Sequence, residues 1–357
     1  MVVAMSGGVD SSLAATLLRL QGYETIGVTM QIWPAMPPGE EVRAGGCCSL
    51  GAVEDARRVA DHLGIPYYVV NLRQEFQEGV IDYFCAEYQR GRTPNPCIAC
   101  NLHVKFRALL AKAFELEARY LATGHYARLE FDSRSGRYLL RRGVDPRKDQ
   151  SYVLFGLRQD QMPHLLFPLG GFTKEETRRL ARRHGLPVAG KQESQEICFV
   201  PDDNYRRFLE RRIPGSIRPG PIIDREGKVL GRHAGLPFYT IGQRRGLGLT
   251  SPYPLYVVDL DVEKNAVVVG PAEELERDAL LAEGVNYIPF EAPEGPLRVT
   301  ARIRYRAPEV PATVIPLPEG WARVTFDRPL RAITPGQAVV FYQGDLVVGG
   351  GFINRPE

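Results

Sequence analysis

Along the first 125 residues, short apolar runs alternate with longer stretches whose hydrophobic positions recur every three to four residues. The runs at 2–5, 25–32, 67–72 and 119–123 read as strands. The segments 11–21, 52–63, 75–90 and 103–118 carry helical periodicity. Strand and helix in strict alternation predict a parallel sheet covered by helices on both faces. Between the second strand and second helix lies a Pro- and Gly-rich stretch, 33–50, expected to be a mobile loop over a site. Further on, Thr173 and Glu176 have the spacing of a capping box, and Gly185 followed by Pro187 marks the end of the helix they open.

From Pro214 the texture changes to Gly, Pro and short apolar runs, which suggests a small central α+β domain. After about residue 273 the pattern has period two. Leu297, Val299, Ala301, Ile303 and Tyr305 alternate with Arg298, Thr300, Arg302, Arg304 and Arg306, giving one apolar face and one face with four arginines. With 322–326 and the hairpin-like 338–353, this predicts a small C-terminal β-barrel. The expected division is 1–205, 206–272 and 273–357, and a chain of 357 residues is of the right length for two or three domains.

Apolar runs such as Ala266-Val267-Val268-Val269 fall far short of the ~20 residues that span a bilayer. The chain starts directly on a strand-like run without a basic segment, so no signal peptide is expected and the reading is a cytoplasmic protein without a membrane partner. Six cysteines are too few for a disulfide scaffold, and their grouping points to chemistry or metal. The net charge of +3 is unevenly placed. Residues 206–250 hold ten Lys/Arg against three Asp/Glu, so this segment is +7 and the remainder −4. It is either a phosphate-binding surface or a solvated basic face.

The string Ser6-Gly7-Gly8-Val9-Asp10-Ser11-Ser12 joins the first strand to the first helix, at the carboxyl end of a strand, where open α/β sheets bind ligands. Glycines admit a phosphate close to the backbone, the helix start offers unpaired N–H groups, and Ser6, Ser11 and Ser12 add hydroxyls. The helix dipole contributes only about 0.3–1 kcal/mol at an exposed site, so directed hydrogen bonds must supply most of the grip.

This string resembles that of the PP-loop ATP pyrophosphatases, which split ATP to AMP and pyrophosphate while adenylating a substrate. No Walker lysine is present, which disfavours γ-phosphate transfer. Further motifs narrow the resemblance to the tRNA-specific 2-thiouridylases: Thr93-Pro94-Asn95-Pro96-Cys97-Ile98-Ala99-Cys100-Asn101 with Val104-Lys105-Phe106, Ala122-Thr123-Gly124-His125-Tyr126, Lys148-Asp149-Gln150-Ser151-Tyr152, Ile197-Cys198-Phe199 and Tyr239-Thr240-Ile241-Gly242-Gln243-Arg244. The matches run in family order from residue 5 to about 343.

The resemblance implies an α/β fold: an N-terminal PP-loop, Rossmann-like parallel-sheet domain of the adenine nucleotide hydrolase type, a small central α+β domain, and a C-terminal β-barrel. It implies an enzyme that uses ATP with Mg2+ to adenylate the C2 oxygen of a tRNA wobble uridine and then installs sulfur. The implied nucleotide contacts are Ala4, Met5, Ser6, Gly7, Gly8, Val9, Asp10, Ser11, Ser12, Met30 and Gly124. The implied tRNA contacts are Asn95, Pro96 and Cys97 around the target base, with His125, Lys148, Asp149, Gln150, Arg304, Tyr305 and Gln337. The implied partners are the tRNA anticodon stem-loop and a sulfur donor or relay protein. Cys198 would carry a persulfide, and Cys100 would assist sulfur release, with a disulfide to Cys198 as one outcome. A thiolate site of this kind calls for an electropositive setting.

Cys97 stands where many family members have Asp. The set Cys97, Cys100 and Cys198 admits three readings: persulfide chemistry on two thiols, a [4Fe–4S] cluster on all three with one open iron, or a CxxC that is a redox pair by itself or half of a zinc site completed by Cys47 and Cys48. Two other functions compete with thiolation. One is amine transfer by another PP-loop ligase, which has no use for three cysteines. The other is an RNA-binding or sulfur-carrying protein without catalysis, which has no use for an intact phosphate loop.

Overall fold

The structure, a computed structural model, describes residues 1–33, 50–192, 197–200 and 202–357. Most of the expected loop at 33–50, with Cys47 and Cys48, lies outside the described residues. The chain falls into two units: Met1–Ile81, Pro96–Asp203 and Gly344–Val347 form the first, and Asp82–Asn95, Asn204–Gln343 and Val348–Glu357 the second.

The first unit is built on a five-stranded sheet in the order Tyr67–Asn71, Ile26–Gln31, Val2–Ala4, Leu121–Ala122, Leu165–Leu166. Every pairing in it is parallel, with Val2 opposite Ile26 on one side and Leu121 on the other. Val2 and Val3 are fully buried, the signature of a strand covered on both faces. Leu13, Ala14, Val59 and Leu63 from the flanking helices pack into the same core as Val3. The strand order reverses direction at Val2–Ala4. A crevice therefore opens at that strand's carboxyl end, and the chain there runs into the glycine-rich loop.

Of the four expected helical segments, the first two are plain α-helices, Val9–Leu20 and Leu50–Leu63, and the other two are not. The helix expected at 103–118 starts earlier: a single turn, Pro96–Ala99, leads into a π-helix over Cys100–Leu109 and an α-helical end, Leu110–Glu115. The segment expected at 75–90 likewise contains a π-helix at Gln77–Asp82. The capping box is present: Thr173 accepts from the Glu176 N–H, and the Glu176 carboxylate accepts from the Thr173 N–H at 2.8 Å. Its helix, Lys174–Arg183, ends before Gly185 at φ +65°.

In the second unit, Asn204 caps the helix Tyr205–Arg212 through its Oδ1, which accepts from the Arg207 N–H at 3.1 Å. A four-stranded sheet follows in the order Tyr256–Asp261, Ala266–Gly270, Gly220–Ile223, Val229–His233. The C-terminal strands Glu276–Tyr287, Trp321–Arg331, Val310–Leu317, Leu297–Arg302, Ala338–Gln343 and Leu346–Pro356 form an antiparallel barrel, closed by pairing of the first with the last. Val299, Ala301, Val310, Ala312 and Phe341 fill it.

One strand is shorter than its pattern. Regular structure ends at Arg302, because Ala301 already pairs with Val310 and the chain must reverse between them. Arg304, Tyr305 and Arg306 therefore lie in a turn, and the four arginines do not share one strand face. Arg298 pairs with Asp327, Arg302 with Glu309 at 2.6 Å, and Arg304 donates to the Ala332 carbonyl and to Thr334 Oγ1. No helix among the described residues is long and apolar enough to cross a membrane.

Candidate functional site

The glycine-rich loop begins one residue after the central strand. Gly7 adopts φ +64°, and a Cβ there would lie 2.2 Å from the Ala52 carbonyl oxygen, so only glycine allows the loop to pass this close to the second helix. Gly8 is the N-cap of the helix Val9–Leu20, and no side chain caps it, which leaves the first N–H groups of a 12-residue helix available for an anion. The serines are oriented within the loop. Ser11 Oγ accepts from the Ser6 N–H at 3.1 Å, and Ser12 Oγ donates to the Gly8 carbonyl at 2.8 Å. From outside the loop, Lys191 Nζ donates to the Gly7 carbonyl at 3.0 Å.

Beside the loop is a cavity of about 220 Å³. One wall is Ala4, Met5, Ser6, Asp10 and Ser11; the other residues lining it are Val28, Met30, Lys105, Thr123, Gly124, His125 and Gln150. Of the nucleotide contacts implied by resemblance, Ala4, Met5, Ser6, Asp10, Ser11, Met30 and Gly124 meet here. Gly7, Gly8, Val9 and Ser12 shape the loop and the helix start without appearing in the lining. Gly124 abuts the loop backbone so closely that a Cβ would be 2.8 Å from Ser11 N. A larger cavity, about 410 Å³, lies in the second unit and is lined by residues between 244 and 255.

Asp10 is held by three hydrogen bonds. Lys174 Nζ reaches both carboxylate oxygens at 2.7 and 2.8 Å, and the Tyr126 hydroxyl donates to Oδ1 at 2.8 Å. Tyr126 is also 3.0 Å from Thr177 Oγ1 and is almost fully buried. Asp10, which lines the cavity, is thus paired with a buried lysine. His125 is neutral: burial, reinforced by the charge of Lys105, holds it well below the ordinary imidazole value of 6.5. Its Nδ1 lies 2.6 Å from Thr123 Oγ1, and its ring packs against Phe106 and Phe167.

The Lys148-Asp149-Gln150 segment, read as tRNA-contacting, has much of its polarity turned inward. Asp149 Oδ1 accepts from the Gly143 and Ser151 N–H groups at 3.1 and 3.0 Å, and Oδ2 accepts from Ser151 Oγ at 2.9 Å. Gln150 accepts from the Tyr126 N–H at 3.0 Å and lines the cavity, as does His125. In the second unit, Gln337 Nε2 donates to the Thr93 carbonyl at 2.8 Å, two residues before Asn95 and Pro96. Tyr305 is exposed.

Cys97 is exposed on the Pro96–Ala99 turn, and Cys100, half-buried, opens the π-helix. Cys198, also half-buried, precedes Phe199, whose ring packs edge-on against Phe76 at 5.8 Å. Phe76 ends a short helix that packs against the Cys100 helix. Among the described residues, no three His, Cys, Asp or Glu side chains are grouped to hold a metal ion. Cys97, Cys100 and Cys198, for which a three-thiolate ligand set is one of three readings, belong to no such group among the described residues.

Sequence reasoning did not assign Lys105, Thr123, Tyr126, Lys174 or Lys191 to the site. Lys105, Thr123 and Tyr126 lie inside motifs already recognised. Lys174 is the first residue after the capping Thr173, but nothing local shows that its ammonium group reaches Asp10.

Comparison with known families finds matches over nearly the whole chain. Residues 1–202 match the tRNA methyl transferase HUP domain, 206–271 the tRNA methyl transferase PRC-barrel domain, and 277–353 the aminomethyltransferase beta-barrel domain. The tRNA-specific 2-thiouridylase MnmA of Moorella thermoacetica is 61% identical over 99% of this chain and 98% of its own length. The protein of the same name from Pelotomaculum thermopropionicum is 58% identical over 99% and 96%. Among solved structures, the U34-tRNA thiolase NcsA from Methanococcus maripaludis with its [4Fe-4S] cluster is 17% identical with a TM-score of 0.34, covering 60% of this chain and 66% of that one, a likeness too low to transfer chemistry.

Proposed function

The chain belongs to the tRNA-specific 2-thiouridylase family and is a tRNA sulfurtransferase; from that premise we propose that it activates the C2 oxygen of a wobble uridine with ATP and replaces that oxygen with sulfur carried on Cys198. Two family descriptions speak of methyl transfer, whereas the near full-length relatives are named for thiolation. The latter name suits this chain's own parts, a phosphate loop and a pair of cysteines, which methyl transfer does not need. The observation that carries the reading is the cavity beside the uncapped helix start, lined by Ser6, Asp10, Ser11, Met30 and Gly124.

In the first step the uridine O2 attacks the α-phosphorus of ATP. The bond from that phosphorus to the bridging oxygen breaks, its electron pair leaves with pyrophosphate, and the N3 proton passes to solvent. Mg2+ arrives with the triphosphate as part of the substrate. In the second step the terminal sulfur of a Cys198 persulfide, loaded beforehand by a sulfur donor, attacks C2, and AMP departs with the C–O electrons. The Cys100 thiolate then attacks the Cys198 sulfur. Its S–S bond breaks, the pair stays on the base as thiouridine, and a Cys100–Cys198 disulfide forms that a thiol reductant must reopen.

Only two thiols are needed for this sequence of steps. The sulfur step is accordingly written on thiols and not on a [4Fe–4S] cluster. The wobble base already lies in a single-stranded loop, so extruding it is inexpensive. Lys148, Arg304, Tyr305, Gln337 and the basic segment 206–250 are the proposed contacts to the anticodon stem-loop.

Incubating the protein with ATP, unmodified tRNA and a persulfide donor tests the proposal. Thiouridine, AMP and pyrophosphate should appear in equal amounts. AMP and pyrophosphate without thiouridine would indicate amine transfer by another PP-loop ligase, and tRNA binding without pyrophosphate would indicate a non-catalytic RNA-binding protein; either result overturns it.

A further inference from the structure

We infer that Lys105 is a catalytic residue of the adenylation step, its ammonium group facing the α-phosphate of ATP while the uridine oxygen attacks. The inference rests on the proposed function. A triphosphate brings several negative charges into the cavity, and the motif lacks a Walker lysine. The helix start supplies roughly half a unit of positive charge. Of the other titratable groups lining the cavity, Asp10 is an anion paired with Lys174, and His125 is buried and uncharged. Lys105 is the cationic side chain among the described residues of the lining.

Its placement is fixed by its neighbours. Val104 and Phe106 on either side are buried, and the Phe106 ring packs against His125 and Phe167 at 5.7 and 5.9 Å. The charge of Lys105 is felt at His125 inside the cavity. The residue also lies five positions after Cys100 in a π-helix. With i→i+5 bonding, five residues complete roughly one turn, so Cys100 and Lys105 lie near one face, whereas α-helical winding would separate them. One helix thereby presents the thiol that releases sulfur from Cys198 and the cation that faces the phosphate.

In the step itself the O2–phosphorus bond forms, the phosphorus–bridging oxygen bond breaks with its electrons leaving on pyrophosphate, and Lys105 keeps its proton throughout. Charge in such a transition state spreads over the non-bridging oxygens, where a preorganised cation acts most strongly.

The test compares wild type with Lys105→Met, Lys105→Gln and Lys105→Arg in single-turnover pyrophosphate release at saturating ATP and tRNA. It is repeated with the two diastereomers of ATP bearing sulfur on the α-phosphate. The Met and Gln variants should be slower by about 10² to 10³, with a much smaller change in KM for ATP, unaltered tRNA affinity and a reduced preference between diastereomers. Arg should recover part of the rate. Unchanged rate and diastereomer preference in any folded variant overturns the inference. So does a defect confined to tRNA affinity with a salt slope reduced by about one, which would make Lys105 a tRNA phosphate contact. Failure of the wild type to release pyrophosphate would instead overturn the proposed function.

Discussion

Replacing Gly124 by alanine tests whether the cavity binds phosphate in the way its geometry suggests. A Cβ at this position would lie 2.8 Å from Ser11 N, 2.9 Å from the Asp10 carbonyl carbon and 3.1 Å from Asp10 Cβ. The two closest atoms are backbone, so no side-chain rotation relieves them. Gly124 is not in the left-handed region, so alanine is conformationally allowed and the conflict is purely spatial. To restore ordinary contact, the loop or the end of the Leu121–Ala122 strand must retreat by roughly half an ångström. Overpacking of this kind costs about 1–3 kcal/mol of stability. A 1 Å misplacement of reacting groups costs about 10² in rate, so half of that predicts pyrophosphate release slower by roughly tenfold, equivalent to about 1.4 kcal/mol. KM for ATP should rise, and tRNA affinity should hold. Gly171→Ala is the control, because nothing lies within 4 Å of a Cβ there. If Gly124→Ala matches Gly171→Ala in melting temperature and in pyrophosphate release, the loop is not held by this contact and the reasoning fails.

Thiolation should be abolished by Cys100→Ala and by Cys198→Ala, whereas Cys97→Ala keeps much of it and Cys97→Asp equals or exceeds it; mass spectrometry of tRNA nucleosides decides, and loss in Cys97→Ala prepared free of iron would refute the two-thiol scheme. Burial pushes the Cys85 thiol up to about 11, so iodoacetamide at pH 8 should spare Cys85 in the native protein and modify exposed Cys97, as peptide mapping will show. His125 has a folded-state pKa below its unfolded value of about 6.5, so the unfolded chain takes up a proton that the folded chain refuses, and stability falls as pH drops below that value. In urea titrations from pH 7 to 5, His125→Gln should remove up to about 1.4 kcal/mol per pH unit from that slope; an unchanged slope would mean that His125 is not held neutral.

Local pattern carried most of the architecture. Period-two alternation located the barrel strand at 297 and its apolar face, and the Thr173–Glu176 spacing located the capped helix, because backbone hydrogen bonding and burial write both signals within a few residues. What it missed has identifiable causes. The strand Leu165–Leu166 contains only two residues, too few for any period. The 297–306 alternation continued past the real strand end, because the partner strand and not the local pattern decides where pairing stops. The π-helix at Cys100–Leu109 has no composition signal that sets it apart from an α-helix.

The candidate site divides the same way. The backbone of the phosphate loop is local, and its glycines and serines could be read directly. Its charge balance is not. The loop's one carboxylate, Asp10, is set by Lys174 and Tyr126, more than a hundred residues away, and the Gly7 carbonyl by Lys191. These partners meet because the strand Leu121–Ala122 pairs alongside Val2–Ala4, bringing Tyr126 to Asp10, and because Thr173 starts its helix where Lys174 can reach the same carboxylate. A glycine-rich string therefore specifies a place where an anion can approach, and the parallel sheet decides which cations surround it. Asp10 would repel a triphosphate if left unpaired. Paired with a buried lysine, it is compatible with the phosphates proposed to bind beside it.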